Sequence, residues 1–441
     1  MSLECDLAVI GAGMAGLTAA GWAAERGATV VVIEKAPAIG GSAILSGGVV
    51  WTATSAEKMQ LHGRGQPSLA QVVLDEYPVA IAWLRSRDVE MSPAMTVLHG
   101  RGYQIDIINH FEGCRSLVTQ HGGHVVVDTT TTALLTGDDG RVLGVRTSHP
   151  DGEIDVQADW TMLATGGYQG APELRARFIH ENARDMLLRA NTTSAGDALS
   201  LAGQAGADVR GTNPGFYGHL VSECPQWGDP RLFTMLTQYH SDHALLFDES
   251  GLRFCDESLG DHTNTYFTVL QDNARALCFW DARVQADHAT QPLINAVVPM
   301  DKIATALEHG GKGVAGATLD QIAAFASVQG FDGAQVLRSI HKYNEQARNG
   351  WEKITPPRAE NGAPLDTAPF YALIVHPAIT CTYGGLSIDP DAHVLKPDGT
   401  PIPGLLAAGA DAGDAFGIGY AGGLALAMAF GLRGAKTAGW R

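Results

Sequence analysis

The residues best placed to do chemistry begin at the start of the chain. Residues 6–35 read DLAVIGAGMAGLTAAGWAAERGATVVVIEK. The order is an apolar run, GAGMAG, an Ala-rich stretch with helical spacing, a second apolar run and an acid. In that βαβ context a glycine fingerprint has a mechanism. Gly11 permits the tight turn out of the strand, Gly13 lets the backbone approach a pyrophosphate, and Gly16 lets the helix pack against the strand. The helix start then offers free N–H groups and a partial positive charge to phosphates. Glu34 closes the second strand, where its carboxylate can accept from both ribose hydroxyls. A bare glycine turn would not bring strand, helix, second strand and acid into register. The fingerprint leaves the identity of the dinucleotide open.

Three further segments narrow it. GGSAILSGG, a Gly-rich loop, places Gly40, Gly41, Ser42, Ser46, Gly47 and Gly48 directly after the ribose acid. ATGGY, from Ala164 and Thr165 through Gly166 to Tyr168, is a strand end with a sharp turn whose N–H groups can meet a cofactor. IPGLLAAGAD ends at Asp411, an acid for a ribityl hydroxyl, and a helix starting near Gly422 aims its N–H groups at the far end of the ligand. Each segment alone reads as an ordinary strand-to-turn. In this order they trace an extended FAD, whereas a nicotinamide cofactor would not need the C-terminal pair.

The elements that position these groups must come from 441 residues, enough for two or three domains. The 53 glycines suit many tight turns. A formal charge of −17 argues against nucleic acid or an anionic membrane as partner. Cys5, Cys114, Cys224, Cys255, Cys278 and Cys381 are scattered without a CxxC, so neither a zinc site nor a disulfide framework is expected, and no metal site is predicted. No apolar run is long enough for a membrane span. The first strand starts within a few residues of Met1, which leaves no room for a signal peptide, so a cytoplasmic protein is expected. Residues 66–94 have helical spacing at Val72, Val73, Ile81 and Trp83, a second helical pattern ends near 121, and DDGR at 138–141 supplies a hairpin turn. From about Gly215 to Arg358, His, Trp, Tyr, Phe and Asp become frequent and nucleotide-type strands disappear. The expected domains are a first FAD-binding part at 1–214, a capping domain at 215–368, and a returning FAD-binding part at 369–441.

Taken together, GAGMAG…EK, GGxxxxSGG, ATGGY, NTTSAGDALSLAGQAGA, GLRFCDES, TYGGLSID and IPGLLAAGAD resemble, in order and over essentially the whole chain, the flavoprotein superfamily of fumarate reductases, succinate dehydrogenases and 3-ketosteroid dehydrogenases. The resemblance implies an α/β class: a Rossmann-like FAD-binding domain, its parallel sheet carrying a β-meander, plus an inserted α+β capping domain. It implies FAD contacts from Gly11, Gly13, Ala15, Gly16, Glu34, Lys35, Gly41, Ser42, Ser46, Gly47, Gly48, Thr131, Ala164, Thr165, Gly166, Asp411, Gly423 and Leu424. The GGSAILSGG loop lacks the histidine that links flavin covalently in succinate dehydrogenase relatives, so non-covalent FAD is expected.

The resemblance also locates the chemistry. Fumarate reductases carry an arginine acid where this chain has His240, and a second arginine where it has Tyr420. Their histidine ahead of the GG turn is replaced by Thr380 and Cys381. Arginine clamps carboxylates through bidentate hydrogen bonds that His and Tyr cannot copy, which argues against dicarboxylate chemistry. Tyr420 in GYAGG resembles the tyrosine with which 3-ketosteroid dehydrogenases polarise the substrate ketone, although Ala stands where they usually have Pro. Their tyrosine base falls here near Asp261 and His262. The expected catalytic set is Tyr420, His240, Tyr383 and His262, with His243 and Tyr239 as further candidate bases. Arg253 and Glu257 are expected to brace the cap, and Tyr103, Tyr217 and Trp227 to pack or to line a pocket. The implied activity is FAD-dependent α,β-dehydrogenation of a ketone, steroid-like or a smaller cyclic one, with an unspecified electron acceptor and oligomeric state. Enone or enoate reduction is the alternative, and a non-catalytic flavin-binding redox protein is a third reading.

Overall fold

The run LAVI at positions 7–10 has no polar side chain, and the run VVVI at 30–33 matches it; strands this apolar are stable only when covered on both faces. In the computed structural model, which describes residues 2–210, 213–225, 227–291 and 299–441, these runs are strand β1 (Ser2–Ile10) and strand β2 (Val30–Ile33). They pair in parallel, Leu7 opposite Val30 and Ile10 opposite Ile33. Helix α1 (Met14–Glu25) connects them, and its Ala and Gly residues are buried on nearly every side. Leu7, Val9, Val30 and Val32 are completely buried.

The chain forms two compact units. The first comprises Met1–Ile179, Ala190–Phe216 and Cys381–Arg441. Its main sheet orders the strands His393–Leu395, Pro401–Ala407, Gly152–Leu163, β1, β2 and His124–Val126. Pro401–Ala407, Gly152–Leu163, β1, β2 and His124–Val126 run parallel. Thr130–Thr136, Val142–His149 and Gly152–Leu163 form an antiparallel meander. Gly137 N–H donates to Arg141 O at 2.9 Å in the turn that DDGR provides. The helical spacing near 66–94 corresponds to Pro67–Ser86, and the later one to Ile107–Gln120. GGSAILSGG is more ordered than a plain loop, because Gly41–Leu45 is a short 3-10 turn. The C-terminal helix is Gly423–Thr437. Its Lys436 Nζ lies 2.6 Å and its Arg433 Nε 3.1 Å from the buried carboxylate of Glu76, which ties it to Pro67–Ser86.

The second unit comprises His180–Arg189 and Tyr217–Thr380. Its six-stranded sheet is centred on Phe370–Thr382, which pairs with Leu187–Leu188, Ala276–Trp280, Phe216–Ser222 and Gly313–Gly316; Leu245–Phe247 extends it beyond Ala276–Trp280. The pairing of Leu187–Leu188 with Ala378 and Ile379 draws 180–189 into this unit, although it lies inside the first sequence span. ALCFW at 276–280 is buried at every position. Such a short unbroken apolar run has no period by which to separate strand from helix. Phe247, Phe279, Trp280, Ile322, Val336 and Ile340 belong to the core beneath.

Within that core sits a charged cluster. Glu257 is wholly buried; Arg253 Nε donates to its Oε1 at 2.9 Å and Arg358 Nη1 to its Oε2 at 3.4 Å. Leu246 N–H donates to Oε1 at 3.1 Å, and Arg358 Nη1 also reaches Ala244 O at 2.8 Å. Both guanidinium groups lie near the Tyr343 ring, at 5.2 and 5.8 Å from its centroid. Arg253 and Glu257 thus hold 244–257 to the 356–360 segment. Removing one partner strands a buried charge, which costs far more than the pair itself contributes. Glu257→Gln is expected to destabilise the protein by about 3–5 kcal/mol, read as a drop in chemical-denaturation midpoint; an unchanged midpoint would show that the cluster does not brace this unit.

Candidate active site

The turn between β1 and α1 requires residues without side chains. Gly11 has φ +107°, and an added Cβ would overlap the Ala164 carbonyl. A Cβ on Gly16 would overlap the Gly11 carbonyl, so the helix sits directly on the strand end. Gly13 differs: nothing lies within 4 Å of the place its Cβ would occupy. Gly13 is also the N-cap of α1, and no side chain caps the first-turn N–H groups there. A Cβ on Gly47 would likewise meet nothing within 4 Å.

Glu34 stands at the end of β2 and is 7 % exposed. Its Oε2 accepts from Ala12 N–H and its Oε1 from Ala36 N–H, each at 2.8 Å. A carboxylate has about four acceptor positions, so each oxygen keeps one for a hydroxyl. Lys35 is ion-paired with Asp197 at 2.6 Å. Ser42 Oγ accepts from Asn191 N–H at 3.3 Å, and Ser46 Oγ donates to Ala43 O at 2.6 Å while accepting from Gly48 N–H at 3.2 Å. Gly41 and Gly48 adopt φ +54° and +72°. Ala15 is buried in the first turn of α1, and Leu424 is partly exposed in the first turn of the C-terminal helix. Thr131 Oγ1 is buried without a hydrogen-bond partner.

Asp411 has a different setting from the one its sequence suggests. Its carboxylate accepts from Thr165 N–H through Oδ2, and from Thr165 Oγ1 at 3.1 Å and Gly167 N–H at 2.8 Å through Oδ1. It therefore shapes the ATGGY turn, in which Gly166 and Gly167 have φ +97° and +81°. One acceptor position on Oδ2 remains for a ligand hydroxyl. Burial pushes this carboxyl above its usual range, opposed by the N–H donors of Gly167 and Thr165.

Tyr420 is 8 % exposed, and its hydroxyl accepts from Gly423 N–H at 2.8 Å, at the first residue of the C-terminal helix. Gly422, the N-cap, has φ +101° and supplies no side chain. Trp51 and Phe416 meet the Tyr420 ring edge-on at 5.6 and 6.0 Å. Tyr383 is buried against Phe416 at 5.7 Å, its N–H donating to Gly215 O. Tyr420 and Tyr383 thus share Phe416 as a common neighbour.

The other two expected catalytic residues lie in the second unit. His240 is 3 % exposed, edge-on to Trp280 at 4.6 Å, with no hydrogen bond at either ring nitrogen among the described residues. Burial lowers its pKa to about 3, helped by Lys302, so it is a neutral imidazole. His262 occupies the first turn of Asp261–Val269 and is partly exposed. His243 stacks on His288 at 3.5 Å.

Four neighbours were not legible as a group in the sequence. His219 Nδ1 makes a short hydrogen bond with Asp261 Oδ2. Tyr239 meets the His219 ring edge-on at 5.3 Å, and Arg189 Nη2 donates to Tyr239 Oη at 3.4 Å. Arg189 also donates to Thr380 Oγ1 and to Phe233 O, each at 3.3 Å. Residues 189, 219, 239 and 261 lie on separate elements and meet only in the folded chain, and no local spacing announces them.

Among the described residues no group of His, Cys, Asp or Glu has the arrangement of a metal site, and no helix is long and apolar enough to cross a membrane. The first unit fits FAD instead: an open glycine cradle at Gly13, uncapped N–H groups on α1, a ribose acid with acceptor capacity left, and an orphaned Thr131 hydroxyl.

Comparison with known proteins agrees. The family model described as FAD binding domain matches residues 6–425. A urocanate reductase of Eggerthella lenta is 26 % identical over 95 % of this chain and 71 % of its own length. A 4-oxocyclohex-2-ene-1-carboxylate 5-dehydrogenase of Sinomonas cyclohexanicum is 29 % identical over 69 % of this chain and 54 % of its own length. The 3-ketosteroid delta1-dehydrogenase structure from Sterolibacterium denitrificans superposes with a TM-score of 0.77 at 17 % identity, covering 99 % of this chain and all of that one. With its glycine cradle, its ribose acid and a match over nearly its whole length, the chain belongs to the FAD binding domain family and is an FAD-dependent oxidoreductase.

Proposed function

We propose that the protein oxidises the CH–CH bond next to a carbonyl, with a small cyclic ketone as substrate. The observation that carries this reading is the hydrogen bond from Gly423 N–H to Tyr420 Oη. Tyr420 Oη accepts there, and its O–H is the donor that this reading aims at the substrate. An N–H bond to a phenol oxygen also strengthens the phenol as a donor. Directed at a ketone oxygen, that proton stabilises the enolate character that develops as the α-hydrogen leaves. The 4-oxocyclohexene carboxylate relative supports a cyclic ketone.

The division of labour follows the two units. The first binds FAD non-covalently through Gly13, Glu34, the 41–48 turn, Thr165 and the start of the C-terminal helix. Lys35 holds Asp197, and Asp411 holds the Thr165 turn. FAD, when bound, supplies the two-electron oxidant. The second unit serves as the substrate-capping domain. The proton acceptor is sought among its side chains, with His262 partly exposed in the first turn of its helix. The electron acceptor that reoxidises the protein is a small molecule or a partner protein.

The urocanate reductase match favours a second reading, in which the same step runs backwards on an enone or enoate. Stopped-flow absorbance separates the two. Bleaching of the oxidised flavin by cyclohexanone or 4-oxocyclohexanecarboxylate is expected. Reoxidation of dithionite-reduced protein by enones, with no bleaching by saturated ketones, would assign the reductase direction.

Two substitutions test the parts. Tyr420→Phe should retain FAD and lower kcat by roughly 10²–10³, the usual cost of one polarising donor; an unchanged kcat would remove Tyr420 from the chemistry. Glu34→Ala should weaken FAD binding by about tenfold or more, since a hydrogen bond to a charged group is worth roughly 1.5–3 kcal/mol. Flavin content after gel filtration measures it, and full retention would show that Glu34 only orders the Ala12 turn.

A further inference from the structure

One side chain beside the glycine cradle is fixed at its oxygen and open at its nitrogen. Asn191 lies in the first unit, on the loop that leads to the helix Asp197–Gln204. Its Oδ1 accepts from Thr193 N–H and Thr193 Oγ1, each at 3.2 Å, from Ser194 N–H at 3.1 Å and from Ser194 Oγ at 3.0 Å. These donors settle which end of the carboxamide is which, because an NH2 group turned that way would face two backbone N–H groups. The turn itself is tied down at both ends: Asn191 N–H donates to Ser42 Oγ at 3.3 Å, and Ser194 O accepts from Gly170 N–H at 2.7 Å. The Nδ2 end makes no hydrogen bond among the described residues.

That nitrogen lies at the cradle. A Cβ added to Gly41 would sit 3.7 Å from Asn191 Nδ2, 3.4 Å from Gly13 Cα and 4.0 Å from Gly13 N. One point thus neighbours the carboxamide nitrogen, the N-cap of α1 and the 41–48 turn. Gly40 N–H donates to Ala12 O at 2.7 Å, which holds that turn against the β1–α1 turn. Lys35, the cation next to the ribose acid, is already paired with Asp197 at 2.6 Å. We propose that Asn191 binds the pyrophosphate of FAD, its Nδ2 N–H groups donating to a phosphoryl oxygen beside the N–H groups at the start of α1. Thr193 and Ser194 orient the carboxamide before the cofactor arrives, so little side-chain entropy is lost on binding. Their donation to Oδ1 also polarises the amide and strengthens its N–H groups as donors.

The residue type separates this role from a purely structural one. Aspartate at 191 would keep the turn, since a carboxylate oxygen accepts from the same Thr193 and Ser194 donors. It would also turn a second oxygen and a negative charge toward the cradle, where the amide has donors. Alanine would lose the turn and the donors together, but would add no charge. A residue that only builds the 191–194 turn would therefore tolerate Asp and suffer from Ala. A residue that binds pyrophosphate would suffer most from Asp.

The test uses the full chain as wild type, Asn191→Asp and Asn191→Ala, each titrated with FAD. Affinity is read from flavin fluorescence, the two phosphates of bound FAD from ³¹P NMR, and the turn from the denaturation midpoint of the FAD-free chain. Asn191→Ala should weaken FAD binding by about tenfold to a hundredfold, the usual worth of a hydrogen bond to a charged group. Asn191→Asp should weaken it further, while its FAD-free midpoint stays at or above that of Asn191→Ala. In both variants at least one ³¹P resonance of bound FAD should leave its wild-type position. Wild-type affinity and ³¹P shifts in Asn191→Asp would overturn the proposal and leave Asn191 as a turn residue. An affinity lost in Asn191→Ala and restored in Asn191→Asp would do the same. Should Asn191→Asp fail to fold, Asn191→Ala decides alone, and unmoved ³¹P resonances would overturn the proposal. Binding is read directly, so the outcome does not depend on the CH–CH reading or on its direction.

Discussion

The first unit depends on the absence of side chains at Gly11 and Gly16. The turn after β1 lies against the Ala164 backbone on one side and the first turn of α1 on the other, and a Cβ at either glycine would overlap a carbonyl oxygen. That contact brings the ends of β1, β2 and Gly152–Leu163 to one edge of the sheet. Everything assigned to FAD then follows from the edge: Glu34 reaches back to Ala12, Asp411 reaches across to Thr165 and Gly167, and Gly13 is left facing open space. A helix N-terminus in such a place is an anion site without needing a basic side chain. This is how a chain with a formal charge of −17 can hold a pyrophosphate.

The second unit is governed by desolvation instead. Glu257, Arg253 and Arg358 are buried charges that satisfy each other, and the hydrogen bonds left over go to backbone groups. His219 and Asp261 are hydrogen-bonded to each other, and burial pushes both of them and His240 toward their neutral forms. Charge balance in the first group keeps charges in the interior, whereas desolvation in the second suppresses them. Perturbed groups of this kind cluster at functional sites, although structural networks perturb them too.

The adenine-side architecture was legible in the sequence because each of its parts is local. GAGMAG, Glu34, the SGG loop and ATGGY each carry their meaning within a few residues, and the strands that hold them are apolar enough to recognise. The second unit was not legible in the same way. ALCFW has no period, and the two-residue strand Leu187–Leu188 is too short for any pattern. Its polar contacts join positions more than forty apart in the chain, as with His219 and Asp261. Spacing does point to 261–262 through the GLRFCDES segment, but it places no histidine opposite. Asp411 shows the same limit on a smaller scale: its three internal donors only appear once the ATGGY turn is folded beside it.

Tyr420 illustrates why a substituted arginine need not mean a lost activity. An arginine at that position would bring five donors and a fixed positive charge, suited to a carboxylate. A tyrosine brings one donor, and here its oxygen also accepts from Gly423 N–H. One neutral donor matches one carbonyl oxygen, and it stabilises negative charge as that charge develops more than it stabilises the neutral ground state.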